Sequence, residues 1–93
     1  MTRDDFAHIA SLMLDELKAA LSEKDIKFIY TEKAAKAIAD ASYSEKYGAR
    51  NMRRYISKEV EDRLADKLIS GYSDNITGIC LDFDGEALTV QTI

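Results

Sequence analysis

The chain has no proline, no tryptophan, one cysteine and one histidine among its 93 residues. Without proline, helix ends must be set by caps and glycines. A lone Cys80 excludes an internal disulfide framework and fits a reducing, cytoplasmic home. No apolar run approaches the length that crosses a bilayer, and no signal-peptide pattern opens the chain, so no membrane partner is expected. An excess of positive charge is missing too. Thirteen Lys and Arg face 17 Asp and Glu, for a net charge of −4, which argues against a general nucleic-acid binder. What is present is ordinary folded-domain composition, 46% hydrophobic and 32% charged. The length fits a single domain over residues 1–93, with one core and no deep cleft between lobes.

Thr2 followed by Asp5 has the pattern of a capping box. Phe6, Ile9, Ala10, Met13, Leu17, Ala20 and Leu21 then recur at helical spacing, predicting a helix to about Lys24. Leu12 and Leu14 lie off this stripe and read as a wider core contact, or as a partner surface. Residues 25–31 read as a strand with Ile26, Phe28 and Tyr30 on one face. Thr31 suits the cap of a second helix, whose Ala34, Ala35, Ala37, Ile38 and Ala41 form a small-residue packing face. Residues 42–48 read as a loop. A third helix is expected from about Asn51 to Ser70. Met52, Ile56, Val60, Leu64 and Leu68 recur in it at spacing four, Glu59 and Arg63 form an i,i+4 pair, and Gly71 is its stop. Ile79, Leu81 and Phe83 alternate on one strand, Leu88 and Val90 on the next, and Asp84-Gly85 signals a two-residue hairpin turn. The expected fold is α+β, in the order α-β-α-α-β-β, with three helices packed on a three-stranded sheet.

Catalytic and metal constellations are missing. His8 reads as a solvated helix residue and Cys80 as an inert, partly buried thiol. No Cys/His/carboxylate spacing suggests a metal site, and no Gly-rich loop ending in Lys-Ser/Thr could cradle a triphosphate. The informative stretch is Tyr47-Gly48-Ala49-Arg50-Asn51-Met52-Arg53. It sets a glycine turn and an arginine at a helix start, and Arg53, Arg54 and Lys58 follow within about two turns. A helix N-terminus carries roughly half a positive charge, so cations there oppose helix stability while anions favour it. Arginines crowded at that end therefore point to a bound anion, a phosphate above all, met by backbone N–H groups and a guanidinium. Arg50 and Arg54 project within about 40° of each other and Arg53 within about 60° on the other side. Arg50, nearest the mouth, is the first candidate; Arg54 and Lys58 read as partners for acidic groups on a neighbouring surface.

Tyr43, the Tyr47-to-Arg50 segment, Arg53-Arg54-Tyr55-Ile56 and the stretch from Glu59 to Ala65 resemble the C-terminal small domain of Clp-type AAA+ unfoldases, the two-ring ClpB, ClpC and ClpA above all. The resemblance implies the lid of a second ATPase module, a fragment of a longer chain that is inactive and binds no nucleotide alone. In it, Arg50 matches the sensor-2 arginine that reaches the nucleotide phosphates. Gly48 and Ala49 let the backbone approach the nucleotide, and Ile9 borders the adenine. The resemblance also implies ATP or ADP with Mg in the parent. The implied partners are the large ATPase domain of the same chain, neighbouring subunits of a hexamer, and in some members a protease ring. The parent would use ATP to unfold or disaggregate proteins. Asn51 and Arg63 stand where the family often has proline, and Ser42 and Glu45 where glycine and proline are common. Asn51 suits an N-cap, which would shift the helix start, and Arg63 implies a straighter third helix. The alternative is a stand-alone adaptor that uses a free strand edge and the basic patch.

Overall fold

The computed structural model describes residues 2–44, 46–70 and 75–93. Helix α1 spans Arg3–Ser22. Its capping box is complete: the Thr2 hydroxyl accepts from the Asp5 N–H at 3.2 Å, and the Asp5 carboxylate accepts from the Thr2 N–H at 3.0 Å. The chain leaves α1 through a Schellman-type turn. The Asp25 N–H reaches the Ser22 carbonyl, the Ile26 N–H reaches the Leu21 carbonyl, and Asp25 adopts a left-handed φ of 60°. Strand β1 is Lys27–Tyr30, two residues shorter at its start and one at its end than the apolar pattern suggests. Helix α2, Glu32–Ser42, is capped by the Thr31 hydroxyl, which accepts from the Ala34 N–H at 3.1 Å.

The third helical body runs without a break from Ala49 to Ser70 in three parts: helix α3 (Ala49–Tyr55), a π-helical segment (Ile56–Glu61) and helix α4 (Asp62–Ser70). Its start lies at Ala49 rather than near Asn51, because Gly48 turns the chain. Its central turn is widened, a feature that the expectation of a straighter helix did not include. Gly71, expected to stop it, lies outside the described residues. The Glu59–Arg63 pair is present at 2.7 Å, and the same guanidinium donates to the Glu59 carbonyl.

Strand β2 is Gly78–Phe83 and β3 is Leu88–Thr92. The sheet order is β1-β2-β3; β1 and β2 are parallel, β2 and β3 antiparallel. Parallel neighbours need a crossover, and α2 with the third helical body supplies it. The hairpin turn is displaced by one residue from the expected Asp84-Gly85 pair. Asp84 and Ala87 close it, Gly85 and Glu86 occupy its centre, and the Asp84 carboxylate accepts from both the Glu86 and Ala87 N–H groups at 2.8 Å.

Phe28, Ile79, Leu81 and Leu88 face the helices and are buried with Phe6, Ala10, Met13, Leu14, Ile38, Met52, Val60 and Leu64. Leu14 is fully buried, so the wider core contact holds for it; Leu12 is 51% exposed. On α2 the buried alanines are Ala34, Ala35 and Ala39, whereas Ala41 is exposed; Ala20 of α1 is exposed as well. Cys80 is half-buried, in a cross-strand row with Ile29 and Gln91. Among the described residues, no helix is long and apolar enough to cross a membrane.

Candidate functional site

The start of α3 differs from the other two helix starts. Threonine hydroxyls cap α1 and α2, and acidic residues stand in their first turns. Helix α3 begins on Gly48, has no side-chain cap, and has no acidic residue in its first turn. Among the described residues, no capping side chain and no first-turn acid offsets the positive end of the helix dipole. Gly48 lies at φ 56°, ψ −137°, a region essentially reserved for glycine. A Cβ built there would meet no atom within 4 Å, so glycine is required by the backbone angle, and the space beside it stays open.

The preceding turn is fastened at several points. The Gly48 N–H donates to the Ser44 carbonyl at 3.0 Å and the Tyr47 N–H to the Ser44 hydroxyl at 3.1 Å. Tyr43 packs its ring against Phe6 of α1 with centroids 4.9 Å apart. Through this turn, a hollow of about 210 Å³ is lined by Tyr47, Arg50, Asn51 and Arg54. Arg50 and Arg54 are exposed. Among the described residues, neither side chain makes an ion pair or a hydrogen bond. Arg53 points elsewhere: its guanidinium lies 3.5 Å from the Glu16 carboxylate of α1. Tyr47 is 55% exposed, with the Lys46 ammonium 5.3 Å from its ring centroid.

Of the residues singled out from the sequence, Arg50 lies in the hollow, with Gly48 and the half-buried Ala49 just before it. Ile9 is half-buried on α1, packed against the core, and is not among the residues lining the hollow. From the sequence, Asn51 suits a helix cap. It is the third residue of α3 and does not cap it; its side chain reaches back to α2. No local signal discloses that role, since its partner lies nine residues upstream. Two guanidiniums that have no partner among the described residues, at an uncapped helix mouth, can grip phosphate oxygens by charge-assisted bonds. Among the described residues no carboxylate lines the hollow, and the lining they form suits phosphate rather than a magnesium ion.

These features define a small α+β domain that offers cations at an open helix mouth. A family profile described as the C-terminal, D2-small domain of ClpB protein matches residues 1–80, and the chain belongs to that family. The chain is also similar to the ATP-dependent Clp protease ATP-binding subunit ClpC of Staphylococcus epidermidis, 35% identical over 86 residues that make up 92% of this chain and 10% of that protein. The subunit of the same name from Staphylococcus aureus is 34% identical over 86 residues, with the same coverage. The chain spans about a tenth of the length of the curated relatives it matches.

Proposed function

We propose that this domain is the lid of the second ATPase module of a Clp-type AAA+ protein unfoldase or disaggregase, and that Arg50 is its sensor-2 residue. In this reading the large ATPase domain of the same chain holds ATP and its Mg. The small domain closes over the nucleotide from the side of α3, and Arg50 contacts the phosphates. Loss of that contact after hydrolysis frees the domain to rotate as a rigid body, and the rotation passes to the neighbouring subunits of a hexamer. The domain alone has no ATPase activity. In the assembled ring, a protease is a further partner where the parent feeds one, as the name of the ClpC relatives describes for them.

The observation that carries this reading is the placement of Arg50, exposed, with no ion-pair or hydrogen-bond partner among the described residues, at an uncapped helix mouth beside open space. A charge-assisted arginine–phosphate bond contributes about 1.5–3 kcal/mol. That shifts a lid equilibrium by roughly one to two decades. Arg50→Ala should therefore lower kcat/KM for ATP about ten- to a hundredfold in the complete subunit. The melting temperature of the 93-residue chain should stay level or rise slightly, because a cation leaves the positive end of the helix. Normal ATP hydrolysis by the substituted subunit would refute the assignment.

A further inference from the structure

The Asn51 side-chain amide donates from Nδ2 to the Ser42 carbonyl at 2.8 Å. Ser42 is the last residue of α2 and is fully buried, and its hydroxyl donates to the Ile38 carbonyl at 2.6 Å. One bond thus joins the end of α2 to the first turn of α3, across the turn that carries Gly48. Asn51 also lines the hollow into which Arg50 is presented. The first turn of α3 has no side-chain cap, and uncapped helix ends fray. Fraying at this end would move the Cα of Arg50 itself. A long arginine side chain finds a phosphate only from a fixed origin.

We infer that Asn51 is a positioning residue for Arg50, holding the first turn of α3 against α2 so that the guanidinium faces the nucleotide. The inference rests on the lid reading and deepens it. The amide suits the task because it donates to a carbonyl without adding a charge beside the phosphates. Aspartate would offer only acceptors to that carbonyl and would repel the anion. Alanine removes the bond but is a better helix former than asparagine, so the fold itself is not put at risk.

A double-mutant cycle in the complete ATPase subunit tests this. Asn51→Ala should lower kcat/KM for ATP about three- to tenfold, the equivalent of one neutral hydrogen bond. It should act on the same constant, kcat or KM, that Arg50→Ala changes, and leave the melting temperature within about 3 °C. In the Arg50→Ala background, Asn51→Ala should have no further effect. If Asn51→Ala alone is silent while Arg50→Ala impairs turnover, the positioning role is wrong and the lid reading stands. Losses that multiply in the double variant, or a subunit that unfolds, would equally overturn the positioning role by making Asn51 an independent or purely structural residue. A silent Arg50→Ala would remove the lid reading and this inference together.

Discussion

Asp25 holds its backbone at φ 60°, where a side chain crowds its own carbonyl and glycine does not. It closes α1 in the position that glycine usually fills. Aspartate tolerates this region better than most residues, and glycine carries extra freedom in the unfolded chain that offsets part of the relief. Asp25→Gly should therefore stabilise the domain by about 0.5 kcal/mol and raise Tm by about 2–4 °C. A fall in Tm on thermal melting would show that the aspartate side chain contributes more than its backbone costs. The arginines illustrate what single residues disclose. Their bearings on a helix follow from 100° per residue, so the grouping of Arg50 with Arg54 was legible, whereas the departure of Arg53 was not, because its partner Glu16 stands on another helix. Asn51 was not, because its meaning lies in a carbonyl contributed by another helix.

The third helical body shows how spacing encodes an element. Met52, Ile56, Val60, Leu64 and Leu68 are spaced by four, and over these sixteen residues an ideal α-helix drifts by roughly 160°. Such a row would leave the core before its end. A π-helical turn accommodates one extra residue, which takes back about 100° and leaves roughly 60°, inside an apolar stripe about 100° wide. The structure places that turn at Ile56–Glu61; the first four residues of the row are buried and Leu68 is half-buried. The pattern announced a helix, but the excess of four over 3.6 was the unread signal for its widened turn. Arg63 supports the turn by bonding both the carboxylate and the carbonyl of Glu59. Deleting the exposed Ser57 should let the segment close to an α-helix with both flanking faces still inward, at a cost of roughly 2 kcal/mol or less. Deleting the equally exposed Lys36 from α2 should swing Ile38 and Ala39 out of the core and cost roughly 4 kcal/mol or more. Urea unfolding of the two variants checks this, and equal losses would mean that the wide turn does not absorb the residue.

At the scale of the molecule, the order α-β-α-α-β-β was legible because each element carries its own hydrophobic period and the first two helices carry threonine caps. The resemblance supplied the functional frame through Tyr43, the Gly48–Arg50 segment and the helix that follows it. The exact turn of the hairpin was not legible, since the Asp84 carboxylate, rather than the Asp84-Gly85 pair as such, organises it. The same kind of polar fastening sets the pH range of the fold. Asp5, Glu59, Asp82 and Asp84 all have pKa values below the ordinary carboxylate range. The first causes are a backbone bond with Thr2 for Asp5, the Arg63 guanidinium for Glu59, the Thr31 hydroxyl for Asp82 and the Ala87 N–H for Asp84. Tyr30 and Tyr55 are raised, first by burial. A lowered carboxylate stabilises the fold above its unfolded pKa, and that contribution disappears as pH falls through the folded value. A raised phenol contributes below its unfolded pKa, and the contribution disappears as pH rises through the folded one. Stability should thus be level from about pH 5 to 9, fall below about pH 4 and fall again above about pH 10. Asp82 joins the cap of α2 to β2, accepting from the Thr31 hydroxyl at 2.7 Å and the Phe83 N–H at 2.8 Å. Asp82→Asn should therefore melt lower than the parent at pH 7. The gap between the two chains should close as pH falls toward the point at which the parent carboxyl is itself protonated. Melting curves from pH 7 down to pH 3 follow that gap, and a gap that stays constant across the range would show that shape rather than charge fastens Asp82 to Thr31.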